Sequence, residues 1–218
     1  MSCKSCRGML KIIRVEDDQI YSVDCPYCKE EVVSQRLSLG NFPSRYASVR
    51  FSNSKAPNTK HSKILQSCFE WSKSPSGFLI LSGPPGSGKT HTMCCMAAEM
   101  CRMGIKVKYL SLIDLFDDER RRVGRQQNRE LYLLESADVL IVDELGAGIG
   151  TDFEKDIVHR IVARRYDDVL PTVFGTNFRM FGDGHASLAK SEKVSHHTMS
   201  RLGTADVFEL LENFRGKK

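Results

Sequence analysis

The sequence lacks any apolar run that approaches the ~20 residues of a membrane-spanning helix, so we expect no membrane segment. Its first residues, MSCKSCRGML, lack the apolar stretch of a secretory signal, and we therefore expect a cytoplasmic protein. It also has no internal repeat and no low-complexity tract. Hydrophobic residues make up 41% and charged residues 27% of the 218 positions, which is typical of a globular chain. The net charge of +5 is compatible with a nucleic-acid partner but does not require one.

The cysteines are unevenly distributed, and four of the eight lie within the first 28 residues. Without an export signal, they are expected to be thiols or metal ligands rather than disulfides. Cys3 and Cys6 form one CxxC pair and Cys25 and Cys28 a second, with 18 residues between the pairs, which is the spacing of a zinc ribbon. Each pair places two thiolates on one side of a turn, and two pairs complete a tetrahedral zinc site. A redox pair, idle thiols and an iron–sulfur cluster are the alternatives.

Two β-rich runs on either side of the acidic stretch at 16–18 predict a hairpin between the CxxC pairs. Residues 1–35 are too few for an adequate apolar core, so the metal is expected to supply folding energy. We interpret residues 36–58 as a connector and 59–218 as the main domain. The remaining cysteines lie in apolar, helix-like stretches and are predicted to pack as small hydrophobic side chains: Cys68, Cys94, Cys95 and Cys101.

The main domain alternates apolar strand-like runs with helical patterns, which predicts a parallel α/β sheet covered by helices on both faces. The predicted strands are 78–81, 105–110, 139–142, 171–176 and 207–210. The predicted helices are 59–71, one from 89 to about 104, 112–135 and 152–166.

Residues 83–90, GPPGSGKT, match the phosphate-loop pattern GxxxxGK[ST] between a buried strand and a helix. Backbone N–H groups of such a loop and the helix N-terminus bind a polyphosphate. Lys89 is expected to reach the β- and γ-phosphates of ATP, and the Thr90 hydroxyl is expected to ligate Mg²⁺. The predicted nucleotide-binding residues are Gly83, Pro84, Pro85, Gly86, Ser87, Gly88, Lys89, Thr90 and His91.

Acidic and amide side chains follow two of the later strands. Asp143 ends a buried strand and is expected beside the Mg²⁺. Glu144 follows it directly, and a carboxylate there can polarise a water that attacks the γ-phosphate. Asn177 follows the next strand, where its amide can hold that water, although Asn after a strand is more often a turn residue.

These motifs, spread over residues 46–215, resemble AAA+ ATPases of the group that contains the DnaC/DnaI-type helicase loaders and the IstB-type transposition ATPases. More specific than the phosphate loop are GIKVKY at 104–109, the stretch from Arg160 to Asn177, and the tail with SRL at 200–202 and NFR at 213–215. The resemblance implies ATP hydrolysis and a P-loop sheet sandwiched by helices. The length of the chain, in contrast, leads us to expect no full lid domain. Asn177 resembles the first sensor residue, Arg201 the arginine finger that enters a neighbouring subunit's ATP site, and Arg215 the second sensor.

Five arginines lie within ten residues, at Arg120, Arg121, Arg122, Arg125 and Arg129. Arginine suits phosphate contacts, and the segment corresponds to where the resembling loaders contact single-stranded DNA; the alternative is a charged, solvent-facing helix. The favoured function is an ATP-dependent helicase loader that acts as a ring or helical homo-oligomer with single-stranded DNA and a replicative helicase. The alternatives are an IstB-like regulator that acts with a transposase on duplex DNA, an ATP-gated binding module, and a small-molecule kinase, which Glu144 disfavours.

Overall fold

The computed structural model describes residues 3–16, 19–121, 137–180 and 187–214. Near the N-terminus, strands β1 (Lys11–Glu16) and β2 (Gln19–Asp24) pair in antiparallel register, with Lys11 opposite Asp24. This arrangement confirms the predicted hairpin between the two CxxC pairs.

A helix that the sequence analysis did not predict follows the second CxxC pair. Helix α1 (Lys29–Leu39) starts directly after Cys28 and buries Val32, Val33 and Leu37. It packs against the main-domain helix that follows the phosphate loop and against the next strand, and it crosses the expected boundary at residue 35. The division into domains remains a prediction. Short 3₁₀ turns at Ser44–Tyr46 and Phe51–Asn53 follow in the expected connector.

The main domain is built on five parallel strands in the order β4-β5-β6-β3-β7. This order places β3, which leads into the phosphate loop, between β6 and β7. The predicted parallel sheet is confirmed, and its strands are β3 (Phe78–Ser82), β4 (Val107–Ser111), β5 (Val139–Leu145), β6 (Thr172–Thr176) and β7 (Asp206–Glu209).

Helices cover both faces of this sheet. Successive side chains of each buried strand point to opposite faces, so each strand contributes to two separate cores. Leu79 and Leu81 of β3 join a core with the first three helices, whereas Phe78 and Ile80 join a second core with the last three. The predicted helix at 112–135 is confirmed as far as Arg121, and its remainder lies outside the described residues. The further helices are α2 (Thr59–Lys73), α3 (Lys89–Arg102), α4 (Leu112–Arg121), α5 (Asp152–Asp167) and α6 (His196–Leu202).

The four later cysteines are buried and unpaired, as predicted, and burial raises the pKa of each thiol: Cys68, Cys94, Cys95 and Cys101. Cys68, Cys94 and Cys101 belong to the core formed by α2, α3 and the sheet, whereas the Cys95 sulfur lies 3.3 Å from the Ser54 hydroxyl. Among the described residues, no helix is both long and apolar enough to cross a membrane.

Candidate functional site

The phosphate loop connects β3 to α3, as its sequence predicts. Gly83 has a φ of 149°, and a Cβ at this position would lie 1.9 Å from the carbonyl oxygen of Leu210, so only glycine fits. Lys89, in the first turn of α3, is 8% exposed, and its Nζ donates to the carbonyl oxygens of Gly83 at 2.7 Å and Pro84 at 3.0 Å. The loop therefore holds its lysine ammonium over its own first residues.

The chain after β7 borders the same loop. The Phe214 N–H donates to the Gly86 carbonyl at 3.0 Å, and the Phe214 ring packs edge-on against His61, with ring centroids 5.3 Å apart. Asn58 donates to Glu212 at 2.9 Å, which joins the start of α2 to this tail. Arg215, predicted as the second sensor, comes directly after Phe214 and lies outside the described residues.

His91, the last of the predicted nucleotide-binding residues, is partly buried in α3. Its Nε2 lies 2.9 Å from the Ser54 hydroxyl, and its ring packs edge-on near Tyr46, with centroids 6.4 Å apart. Burial lowers the pKa of His91, so its neutral form is favoured at pH 7. The residues between α1 and α2 thus form the side of the site next to α3.

The two predicted magnesium ligands are in contact. The Thr90 hydroxyl donates to Oδ2 of Asp143 at 2.7 Å, and Asp143 is only 4% exposed. The same Oδ2 accepts from the Tyr109 hydroxyl at 2.9 Å, and Oδ1 accepts from the Glu144 N–H at 2.9 Å. Burial and the Asp143 charge raise the pKa of Tyr109, so its hydroxyl keeps the proton that it donates. Sequence analysis missed Tyr109, because the contact joins residues 34 positions apart.

Gly175 in β6 is a second residue that the sequence analysis missed. A Cβ there would lie 2.5 Å from Oδ1 of Asp143 and 2.7 Å from Cε of Met93 in α3. Real Cβ atoms do not approach other atoms so closely, and the interior is already close-packed. Glycine at this position therefore makes room for the Asp143 carboxylate between β5, β6 and α3.

Glu144 occupies an irregular point of β5. Its φ is 65°, and the pairing register with β6 shifts between Val142 and Leu145. Its carboxylate accepts from the Ser111 hydroxyl at 3.0 Å, at the end of β4. A bulge of this kind redirects a side chain away from the regular alternation of the strand.

Asn177 follows β6 directly and is exposed. Because β6 lies between β5 and β3, Asn177 comes at the strand edge between the acidic pair and the phosphate loop. The structure thus brings the three strand-end motifs to one edge of the sheet, as expected for parallel strands.

Arg201 is near the opposite edge of the sheet, at the end of α6 and shortly before the start of β7. Its Nη2 lies 3.7 Å from Oδ1 of Asp167, and its guanidinium lies over the Tyr166 ring, 5.6 Å from the centroid. Its Nε is buried and has no hydrogen-bond partner within the described ranges. Since β7 runs parallel to β3, Arg201 stands away from the phosphate loop of its own chain.

Only two of the five clustered arginines lie in the described ranges. Arg120 pairs with Asp117 at 3.0 Å and with Glu154, the third residue of α5. Burial opposes the charge of Glu154, but the backbone N–H groups of Gly150 and Thr151, together with Arg120, lower its pKa to about 2. Arg121 is 77% exposed. Arg120 therefore joins α4 to α5, and the predicted nucleic-acid residues Arg122, Arg125 and Arg129 lie outside the described residues.

The four N-terminal cysteines converge. Their Sγ atoms all lie within 4.8 Å of one another, with Cys3 and Cys25 separated by 3.8 Å and Cys6 and Cys28 by 3.6 Å. Zinc bonds of ~2.3 Å in a tetrahedron require sulfur atoms about 3.8 Å apart, so these residues fit the metal. Cys6, Cys25 and Cys28 are also the buried centre of this part of the chain. We call residues 3–28 the cysteine head.

Several known proteins resemble this chain in sequence and in fold. Residues 30–212 match the family of IstB-like ATP binding proteins. The replicative helicase loader DnaC of Escherichia coli K12 is 33% identical over 104 residues, which cover 46% of this chain and 42% of that protein. The putative ATP-binding protein of insertion sequence IS21 from Pseudomonas aeruginosa is 31% identical over 142 residues, which cover 62% and 53%. The chain thus spans about half the length of the curated relatives it matches.

Among solved structures, the DnaC helicase loader superposes with a TM-score of 0.65 at 20% identity, over 78% of this chain and 99% of that one. This likeness confirms the P-loop AAA+ fold. The family match covers most of the chain, including the phosphate loop, Asp143 and Glu144. The chain therefore belongs to the family of IstB-like ATP binding proteins, which are AAA+ ATPases.

Proposed function

We propose that this protein is an ATP-hydrolysing loader of a replicative helicase. The main support is the hydrogen bond between Thr90 of the phosphate-loop motif and Asp143, with Glu144 next to Asp143 in β5. Lys89 binds the phosphates of ATP, and Thr90 and Asp143 hold Mg²⁺, which neutralises phosphate charge when bound. Glu144 accepts the proton of the attacking water, and Asn177 orients that water. Arg215 acts as the second sensor.

Arg201 acts on a neighbouring subunit. It lies near the strand edge opposite its own phosphate loop, and it carries a buried Nε without a partner among the described residues. A guanidinium placed beside a γ-phosphate stabilises the charge that develops in the transition state. We therefore propose that hydrolysis occurs between subunits of a ring or helical homo-oligomer in the cytoplasm.

The cysteine head, loaded with zinc, binds the helicase. Val15 and Ile20 pair across the hairpin, and Ile13 points to the same face as Val15. These three side chains are 75% exposed at Ile13, 65% at Val15 and 75% at Ile20. An exposed apolar cluster of this kind marks a protein interface. The relationship to helicase loaders favours the replicative helicase as its partner.

The arginine-rich stretch at 120–129 contacts single-stranded DNA. Arg121 is well exposed and has only a loose surface pair with Asp118, at 3.9 Å, which phosphates can replace. Arg120 pairs with Glu154 and instead connects this stretch to α5. Arginine is always charged and binds phosphate through two N–H groups at once.

A transposition regulator is the second candidate. The relative from insertion sequence IS21 aligns with 62% of this chain, which is close to the coverage of the longer-matching helicase loader from Buchnera aphidicola, at 63%, and the family match itself is to IstB-like proteins. In this case the same ATP site would act with a transposase on duplex DNA.

Co-purification with a hexameric helicase and with a transposase tests the two candidates, alongside ATPase assays with and without single-stranded DNA. We expect the wild-type chain to retain the helicase and to hydrolyse ATP faster with single-stranded DNA. The double substitution Ile13→Ser and Ile20→Ser is expected to lose the helicase. Val169→Asn is a matched control, because Val169 is 78% exposed but lies between α5 and β6. Recovery of a transposase and no helicase would establish the second candidate instead.

A further inference from the structure

Tyr109 of β4 reaches the metal-binding carboxylate from the side away from the phosphate loop. We propose that Tyr109 is a positioning residue, which holds Asp143 in the orientation that binds magnesium. This inference rests on the proposed function, since it concerns the same ATP and Mg²⁺ site.

The hydrogen bonds on Asp143 assign this role. Thr90 and Tyr109 both donate to Oδ2, at 2.7 Å and 2.9 Å, and the Glu144 N–H donates to Oδ1. Thr90 is itself an expected magnesium ligand, and the Glu144 N–H fixes only the other oxygen. Tyr109 is thus the side chain that orients Oδ2 without being needed to bind the metal. A hydrogen bond to a buried carboxylate is charge-assisted and stronger than one between neutral groups.

Tyr109 is also held in place by the residues that follow α1. Its backbone N–H donates to the Gly40 carbonyl at 2.7 Å, at the end of α1. Its ring packs against Phe42, with centroids 5.3 Å apart and planes at 48°. Gly40 and Phe42, which follow α1, therefore hold Tyr109 in place, and the Tyr109 hydroxyl in turn orients the Asp143 carboxylate.

The substitution Tyr109→Phe separates positioning from packing, because it keeps the ring and its contact with Phe42 and removes only the hydroxyl. Tyr21→Phe is the matched control, since the Tyr21 hydroxyl donates to Gln19 in the cysteine head, at 2.6 Å. The probe is a fluorescent ATP analogue, whose binding is measured over a series of Mg²⁺ concentrations and without Mg²⁺.

We expect Tyr109→Phe to need about tenfold more Mg²⁺ for half-maximal enhancement of analogue binding, as is typical when a group that orients a metal ligand is lost. Its affinity without Mg²⁺ should match that of the wild type, its melting temperature should fall only by the several degrees that the loss of one charge-assisted hydrogen bond costs, and Tyr21→Phe should match the wild type throughout. An unchanged Mg²⁺ requirement overturns the proposal, as does an equal loss of binding with and without Mg²⁺. If the wild type binds the analogue without any effect of Mg²⁺, the proposed function fails, and this inference fails with it.

Discussion

The space that Gly175 leaves for Asp143 can be tested with a single added methyl group. In Gly175→Ala the new Cβ would start 2.5 Å from Oδ1 of Asp143 and 2.7 Å from Cε of Met93. Both neighbours lie in the packed interior, where Asp143 is 4% and Met93 0% exposed. One or both must therefore move.

The expected cost follows from overpacking, which lowers the free energy of unfolding by about 1–3 kcal/mol per substitution. For a chain of this size, each kcal/mol lowers the melting temperature by about 2–4 °C. A second effect should accompany the first, because moving the Asp143 carboxylate disturbs a magnesium ligand. We expect Gly175→Ala to raise the Mg²⁺ requirement for binding an ATP analogue by at least about tenfold.

Two further variants separate these effects. Gly150→Ala is the matched control, because a Cβ at Gly150 meets only Oε2 of Glu154, at an ordinary 3.8 Å. Combining Gly175→Ala with Met93→Leu removes the Cε contact but leaves the contact with Asp143. We expect the double variant to regain part of the melting temperature while its Mg²⁺ requirement stays high. The reasoning is wrong if Gly175→Ala melts and binds Mg²⁺ like Gly150→Ala.

Other expected outcomes concern the phosphates, the metal of the cysteine head and the neighbouring subunit. Lys89→Ala removes the buried ammonium of the phosphate loop and should abolish detectable binding of an ATP analogue in a fluorescence titration. Cys28→Ser removes one of four converging thiolates and should lower zinc content well below one ion per chain by elemental analysis, whereas Cys95→Ser, at a buried position of α3, should keep it; equal zinc in both would contradict the metal site. Arg201→Ala and Glu144→Gln should each lack ATPase activity, yet a mixture of the two should recover some turnover, because one chain supplies the carboxylate and the other the guanidinium. A mixture as inactive as its components would rule out action between subunits.

The features that the sequence predicted are local ones. The phosphate loop is contiguous, each buried strand is a run of apolar residues, and the two CxxC pairs have a fixed spacing. The pattern around Asp143 and Glu144 could be placed at the sheet edge because parallel strands end together. Each of these signals depends on neighbours within a few positions of the chain.

The features that were missed depend on partners far along the chain. Tyr109 and Gly175 acquire their roles only when β4, β5 and β6 lie side by side, and neither has a local signal. One partner of Arg120 is Glu154, 34 positions away, so an arginine cluster that suggested either nucleic-acid contacts or a solvent-facing helix also contains an ion pair between two helices. Helix α1 was missed because its charged sequence, KEEVVSQRLSL, shows no clear apolar stripe, although it buries Val32, Val33 and Leu37.

The strained backbone at Glu144 lowers the stability of the chain at a residue that the proposed activity needs. A left-handed φ of 65° costs a non-glycine residue about 1 kcal/mol or more, and glycine would adopt it without this cost. Mutation of Glu144 to glycine would thus remove the proposed base and relieve the strained backbone at once. The relieved strain would offset the lost hydrogen bond from Ser111 and the greater backbone freedom of glycine, so such a chain would lack activity while staying close to the wild type in stability. Cellular quality control would then have little reason to degrade it. In an assembly whose sites need two subunits, the variant chain would still supply Arg201 to the next chain, so the loss of activity would be confined to its own ATP site.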